Sequence, residues 1–228
     1  MAMLARHSLV WLTDAGWQEA QNSAPQDCRE IIAAWKRTDW PAIARRHDPE
    51  ATQEQACLGI ALPPDSVDGS KKRIPVRVSR SSIRKSDAPP ALDAVLAAAP
   101  PDWREPLAAL DANARAAGIC LRVYGSLALQ AFTGQAYLTK ASDIDLLFAP
   151  HSVASLSRGL ELLRTYAGSL PLDGEILFPA GQAVAWKEWD RAQTSGGGCR
   201  VLVKEMQAVR LRSLDELLSL LETAPWPA

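Results

Sequence analysis

The chain has 228 residues and a formal net charge of −1, and 47% of its residues are hydrophobic. This length and composition predict a globular protein with one large domain or two small ones. The near-neutral charge gives no overall field that would draw the chain to a nucleic acid or a membrane. No apolar run reaches the roughly 20 residues of a membrane span, no signal peptide is recognisable and the four cysteines lack CxxC spacing, so we expect a cytoplasmic protein with reduced thiols.

The first part of the chain predicts a small α+β unit. Hydrophobic periodicity and propensity predict a helix at 27–37, with Asp27 as its N-cap, and strands at 7–12, 56–63 and 72–79.

Periodicity is lost over 84–94, a segment that contains a Pro-Pro pair and is typical of a linker. The chain is therefore expected to form an accessory domain over 1–86 and a second domain over 87–228.

The second part predicts a mixed β-sheet flanked by helices, so the fold class of the whole chain is expected to be α+β. The predicted helices lie at 103–118, 127–132, from 153 onward and at 213–222. The predicted strands lie at 119–126, 143–148, 173–179, 182–186 and 200–206, with a hairpin turn at 180–181.

Two aspartates lie one residue apart on the predicted strand 143–148. Because residues i and i+2 of a strand point to the same face, Asp143 and Asp145 are expected to project together. Two neighbouring carboxylates repel each other, and a divalent cation removes that penalty. Mg²⁺, or Mn²⁺ in its place, prefers such oxygen ligands together with substrate phosphates, so the pair predicts a metal site in a phosphoryl-transfer enzyme.

A Gly-Ser turn precedes this pair. Gly125 allows the backbone to approach a phosphate closely, and the Ser126 hydroxyl and the first N–H groups of the following helix can donate to phosphate oxygens. An isolated DxD is more often a pair of solvated or capping aspartates, but the Gly-Ser turn favours a triphosphate site beside a metal.

Further site residues are predicted downstream. Asp173 and Glu175 share one face of the next strand, and either one is a candidate third metal ligand. Lys187 and Lys204 are candidates for neutralising the triphosphate, although each alone is more often a surface lysine. Nearby tryptophans, Trp186 and Trp189, either stack on adenine or pack in the core, and packing is the more ordinary outcome.

The sequence from Val123 to Leu147, VYGSLALQAFTGQAYLTKASDIDLL, resembles the DNA-polymerase-β-like nucleotidyltransferase superfamily through its Gly-Ser turn and DxD strand. More narrowly, the stretch is similar to the phosphoribosyl-dephospho-CoA transferases of malonate decarboxylase, also called malonate decarboxylase holo-acyl-carrier-protein synthases. Similar segments lie at 6–12, 88–100, 173–189 and 200–211, so the resemblance covers most of the chain.

The resemblance implies a nucleotidyltransferase reaction whose donor is 2′-(5″-triphosphoribosyl)-3′-dephospho-CoA. The acceptor is a serine of the apo acyl-carrier subunit of malonate decarboxylase, and pyrophosphate leaves. Asp143 and Asp145 are then the catalytic metal ligands, Gly125 and Ser126 position the pyrophosphate, and Asp145 or Asp173 accepts the serine proton.

Two other functions stay open at this stage. One is a general nucleotidylyltransferase that acts on a protein, a tRNA or a small molecule, and the other is a non-catalytic nucleotide- or carrier-binding protein. The basic segment 71–85, with seven cations and no acid, is either a docking surface for an acidic carrier or a solvated strand face.

Overall fold

The computed structural model describes residues 4–195 and 198–223, so the start of the first predicted domain and the end of the second lie outside the described residues. The α+β fold class is confirmed. Contacts divide the chain into two compact units, one made of residues 1–89 and 135–139 and the other made of residues 90–134 and 140–228.

The first unit contains two helices and an antiparallel sheet. Within the described residues this sheet has five strands in the order β4-β3-β2-β1-β5. The strands are β1 (Leu9–Leu12), β2 (Ala42–Ala44), β3 (Gln55–Ala61), β4 (Arg73–Ser79) and β5 (Ile83–Asp87). The helices are α1 (Asp14–Ser23) and α2 (Arg29–Arg37).

The strand predicted at 72–79 is confirmed as β4, whose apolar residues at alternate positions, Ile74, Val76 and Val78, are buried. This period-2 pattern is what half-buried strands show. The segment 135–139 joins this unit, and the Tyr137 hydroxyl donates to the Ala61 carbonyl oxygen (2.8 Å).

Two local features of the first unit differ from the predictions. The boundary between the two units, after Pro89, lies within 84–94, but residues 84–87 of that segment belong to β5. This strand pairs with β1 as an edge strand and escapes detection because its residues are mostly exposed and polar. Asp27 does not cap a helix: it lies in a 3-10 turn, and α2 begins at Arg29 without a side-chain cap.

The second unit contains a mixed sheet and six helices among its described residues. The strands are β6 (Leu121–Tyr124), β7 (Ile144–Phe148), β8 (Leu172–Leu177), β9 (Ala183–Ala185), β10 (Arg200–Lys204) and β11 (Val209–Ser213). The helices are α3 (Leu92–Val95), α4 (Pro101–Ala116), α5 (Gly125–Thr133), α6 (Val153–Tyr166), α7 (Trp186–Thr194) and α8 (Leu214–Thr223). In the described chain the strand order is β11-β10-β9-β8-β7-β6, with β7 and β8 parallel and the other neighbours antiparallel.

Strand register sorts the residues of this sheet onto two faces. Val123 lies opposite Leu146 and Leu121 opposite Phe148, and all four are buried. The alternate positions carry Tyr124 opposite Asp145, and both are half-buried. We call this second side the open face; through the pairing of β7 with β8 it also carries Asp173 and Glu175.

Predicted elements of this unit are mostly confirmed. Helix α4 buries Leu107, Leu110 and Ala114, and Gly118 follows its C-cap with φ +72°, as a C′ glycine does. β8 and β9 form the predicted hairpin, although Trp186 starts α7 instead of ending the strand.

The carboxylate of Glu19 links α1 to the sheet of the first unit. It accepts hydrogen bonds from the Ser79 N–H (2.5 Å) and the Ser82 hydroxyl (2.7 Å). These bonds favour the ionised form and hold the pKa of Glu19 below its ordinary value of 4.5.

We predict that Glu19→Gln lowers the free energy of unfolding by about 1–2 kcal/mol at pH 7, because it weakens two hydrogen bonds to a charged group. Since the folded pKa is depressed, the contribution of the carboxylate is present above pH 4.5 and is lost as the pH falls below it. Urea unfolding of both proteins at pH 7 and under acidic conditions measures the difference. The exposed Glu50→Gln is the control, and an equal loss in both variants would refute the role of Glu19.

Candidate active site

The two halves of the predicted site meet where β6 ends and α5 begins. Tyr124 ends β6, and Gly125 starts α5 with φ +69°, a conformation that favours glycine. A Cβ atom built on Gly125 would lie 2.0 Å from Asp145 Oδ2 and 2.9 Å from its Cγ. The Asp145 carboxylate therefore lies directly against the first residue of the helix, in space that only glycine leaves empty.

The amino terminus of α5 opens beside this carboxylate. The helix runs for nine residues, and the side chain of its N-cap residue, Tyr124, makes no capping hydrogen bond. The first N–H groups of a helix lack intrahelical acceptors, and the helix dipole favours an anion there. Gly125 and Ser126 thus lie where phosphate oxygens would be bound.

Asp143 and Asp145 are two residues apart at the start of β7, but only Asp145 lies within the strand. The strand begins at Ile144, and Asp143 precedes it as an exposed residue. Ile144, between them, is fully buried and anchors the pair to the core.

The two candidates for a third carboxylate have different surroundings. Asp173 is the register partner of Asp145 on the parallel strand β8, is half-buried, and accepts the Gly174 N–H (2.8 Å). Glu175 is only 4% exposed and accepts a hydrogen bond from Lys204 Nζ (2.9 Å). The geometry therefore places Asp173 beside the aspartate pair and Glu175 in a buried ion pair.

Lys187 and the two tryptophans lie at the start of α7. Lys187 Nζ is 5.8 Å from the centroid of the Trp186 ring. Trp186 and Trp189 are buried, and Trp189 packs against Phe178 with 5.4 Å between ring centroids, so the core interpretation of these tryptophans is confirmed. The role of Lys187 in substrate binding stays a prediction.

One residue that brings the carboxylates together was missed in the sequence. Gly174 has φ +133°, and a Cβ there would lie 1.9 Å from the Leu146 carbonyl oxygen. Only glycine permits β8 to come this close to β7, which sets Asp173 next to Asp145. A glycine inside a predicted strand is the signal that indicates such a close backbone approach.

The donor set fits a divalent cation of the Mg²⁺ type. Asp143 and Asp145 offer hard carboxylate oxygens, and Mg²⁺ commonly takes only one or two carboxylates and completes its shell with water and substrate phosphates. Across the part of the chain that the structure describes, no three His, Cys, Asp or Glu side chains are grouped so as to hold an ion by themselves. The two aspartates therefore fit a metal ion whose remaining ligands come from water and a phosphate-bearing substrate.

Family models match both units. The model of the phosphoribosyl-dephospho-CoA transferase MdcG N-terminal domain matches residues 5–89, and that of the C-terminal domain matches residues 91–215. The chain belongs to the phosphoribosyl-dephospho-CoA transferase family. The resemblance of the stretch from Val123 to Leu147 to this family is thereby confirmed, and with it the enzyme class, a transferase.

Curated relatives agree with this family assignment. A phosphoribosyl-dephospho-CoA transferase of Bradyrhizobium diazoefficiens is 36% identical over 94% of this chain and 92% of its own length. Those of Xanthomonas campestris pv. campestris and Xanthomonas euvesicatoria pv. vesicatoria are 36% and 37% identical over 92% of this chain and 94% of their own lengths. No solved structure matches the chain significantly.

Every predicted site residue of this phosphoribosyl-dephospho-CoA transferase family member falls within the C-terminal domain model. The basic segment 71–85 lies in the N-terminal one, where several of its cations already have acidic partners: Lys72 with Asp27 (3.0 Å), Arg84 with Asp39 (2.7 Å) and Lys85 with Asp87 (2.6 Å). Docking of a carrier on that segment stays a prediction.

The two glycines that bound α5 provide a test of the Asp145 contact. Gly125 and Gly134 share φ +69°, but a Cβ on Gly134 meets nothing within 4 Å. We predict that both alanine variants lose about 1–2 kcal/mol of stability through the left-handed backbone. Only Gly125→Ala, which displaces the Asp145 carboxylate, should lower transferase activity, by about a hundredfold. Equal activity of the two variants at matched folded fraction would contradict the assigned role of the contact.

The Glu175–Lys204 ion pair has a separate structural test. Lys204→Met is expected to destabilise the second unit by about 2 kcal/mol, because it leaves a buried carboxylate without its cation. Combining it with Glu175→Gln should recover most of that loss, which thermal unfolding of the two single variants and the double variant measures. Additive losses would show that the two side chains do not depend on each other.

Proposed function

We propose that the protein transfers the phosphoribosyl-dephospho-CoA group from 2′-(5″-triphosphoribosyl)-3′-dephospho-CoA to a serine of the apo acyl-carrier subunit of malonate decarboxylase. The serine oxygen forms a bond to the α-phosphorus of the donor, the bond from that phosphorus to pyrophosphate breaks, and the serine proton passes to a carboxylate. The observation that carries this proposal is the Asp145 carboxylate seated against Gly125 at the start of α5.

Each residue of the candidate site has a part in the proposed reaction. The amino terminus of α5, at Gly125 and Ser126, binds the phosphates that leave as pyrophosphate, where the helix dipole favours an anion. Asp143 and Asp145 would hold Mg²⁺, or Mn²⁺ in its place; such an ion would supply charge neutralisation for the polyphosphate and activation of the attacking hydroxyl. Asp173, in register with Asp145, is the proton acceptor in this scheme.

The Glu175–Lys204 pair supports the site from within the sheet. Lys204 Nζ is held on the open face by Glu175 Oε1, and its side chain is 36% exposed. From this position the ammonium adds positive charge on the same face as the aspartates, in line with its predicted role in binding the triphosphate.

The proposal includes a cytoplasmic location. All four cysteines are free thiols, which is the state expected in a reducing compartment. None of the helices within 4–195 and 198–223 is long and apolar enough to cross a membrane.

Mass spectrometry of the apo acyl-carrier subunit after incubation with enzyme, donor and Mg²⁺ tests the function. We expect the carrier to gain the mass of one phosphoribosyl-dephospho-CoA group and one pyrophosphate to be released per carrier. A general nucleotidylyltransferase would instead label an acceptor from ATP, and a non-catalytic binding protein would bind donor without pyrophosphate release. Either result, with an unmodified carrier, would overturn the proposal.

The aspartate pair is tested in the same assay. Asp143→Asn and Asp145→Asn should each lower the transfer rate by about a hundredfold or more while the far-ultraviolet circular dichroism is unchanged, because each removes a negative charge that balances the metal. Asp102→Asn, an exposed substitution in the first turn of α4, is the matched control and should keep full activity. A variant of the pair that retains activity would exclude that aspartate from the site.

A further inference from the structure

The open face of the second sheet continues past the carboxylates onto its last two strands. β10 and β11 pair with Lys204 opposite Val209 and Leu202 opposite Leu211, and residues opposite each other in an antiparallel pair share a face. Lys204 bonds to Glu175 on the open face, so Leu202, Val209 and Leu211 lie on that face as well. We call these three residues the β10–β11 strip.

The strip is unusually exposed for apolar side chains. Leu202 and Val209 are each 40% exposed and Leu211 is 57% exposed, whereas Val201 and Val203 on the other face of β10 are fully buried. Among the described residues six large apolar side chains are exposed, and three of these form the strip. Adjacent exposed apolar residues on one face mark an interaction surface more often than isolated ones do.

The cations beside the strip on the open face are Arg200 and Lys204. Arg200 is exposed two residues before Leu202, and Lys204 lies opposite Val209 with its side chain 36% exposed. Arg210, which is 65% exposed, lies opposite the buried Val203 and so on the other face of the sheet. The neighbouring acids already have partners, because Glu205 pairs with Arg212 (2.9 Å) and Glu188 accepts the Leu202 N–H (2.7 Å). The exposed acids Asp215 and Glu216 lie beyond the strand, in the first turn of α8.

We propose that the β10–β11 strip is the docking site of the acyl-carrier acceptor, which presents apolar side chains flanked by carboxylates. This inference rests on the proposed function and adds the surface through which the acceptor is held. The strip lies on the sheet face that carries Asp145 and Asp173, so a carrier bound there delivers its serine to the carboxylates without crossing the sheet. The apolar contact supplies affinity, and the exposed Arg200 on the same face favours an acidic partner.

The arginines of β11 disfavour a second copy of this chain as the partner that binds the strip. β11 is the edge strand of the sheet, and two copies could pair along it. Antiparallel pairing centred on Leu211 would place Arg210 of one copy opposite Arg212 of the other. Like charges directly opposite each other destabilise a strand pair.

Substitutions at Leu211 test carrier docking without changing any residue of the candidate active site. The full-length protein is compared as wild type, Leu211→Glu and Leu211→Lys. The control is Val153→Glu, which adds the same charge at a 37% exposed apolar residue in the first turn of α6. For each variant, transfer is followed against carrier concentration at saturating donor, and carrier binding is measured directly by biolayer interferometry at two salt concentrations.

For Leu211→Glu we expect the KM and Kd for the apo-carrier to rise about tenfold or more with kcat within about twofold, because the new charge repels an acidic partner and removes an apolar contact. Leu211→Lys should raise the KM less, and Val153→Glu should match the wild type. Circular dichroism and donor binding of all variants should equal those of the wild type, which excludes misfolding as the cause.

The outcomes distinguish this inference from the function on which it depends. A wild-type protein that leaves the carrier unmodified overturns the proposed function. A wild type that modifies the carrier, with an unchanged carrier KM for Leu211→Glu, overturns the docking site alone. The docking site is also overturned if light scattering shows that Leu211→Glu converts a dimer to a monomer while the carrier KM is unchanged. In that case the strip joins two copies of this chain.

Discussion

The contact between the Asp145 carboxylate and Gly125 is the constraint on which the site depends. It joins β7 to the start of α5, so the position of the Asp145 carboxylate and the position of the amino terminus of this helix are set by the same few atoms. Any side chain at Gly125 would occupy the space of the carboxylate. In the proposed function, a phosphate bound at this helix end would lie close to the Asp145 carboxylate, and a dication between the two would remove their repulsion.

The two faces of the second sheet differ: one packs in the core, and the other carries the candidate site residues. The helix-covered face of β7 is buried through Ile144, Leu146 and Phe148, whereas the open face carries Asp145 beside Asp173. Because alternate residues of one strand face the two sides, the apolar residues Ile144 and Leu146 fix the position of the Asp145 carboxylate between them. Further along this face the polar residues give way to the exposed apolar strip on β10 and β11, which is consistent with one surface for donor, metal and acceptor.

Sequence reasoning recovered the features that local chemistry determines. Local residue order is enough to predict the alternation in β4 and the helical spacing of Leu107, Leu110 and Ala114. It is also enough to recognise the Gly-Ser turn and the DxD residues. It failed where tertiary context decides. β5 is recognisable only by its pairing with β1, and α7 starts within a segment whose pattern predicts a strand. Whether Asp173 or Glu175 is the better candidate for the site depends on the ion pair of Glu175 with Lys204, which lies 29 residues further along the chain.

The most direct measurement is a crystal structure of the protein with Mn²⁺ and pyrophosphate, in which anomalous scattering locates the ion. The account predicts a manganese peak bound by the carboxylates of Asp143 and Asp145, with pyrophosphate oxygens within hydrogen-bond distance of the first N–H groups of α5. Manganese bound at other residues, or pyrophosphate bound away from that helix end, would contradict it.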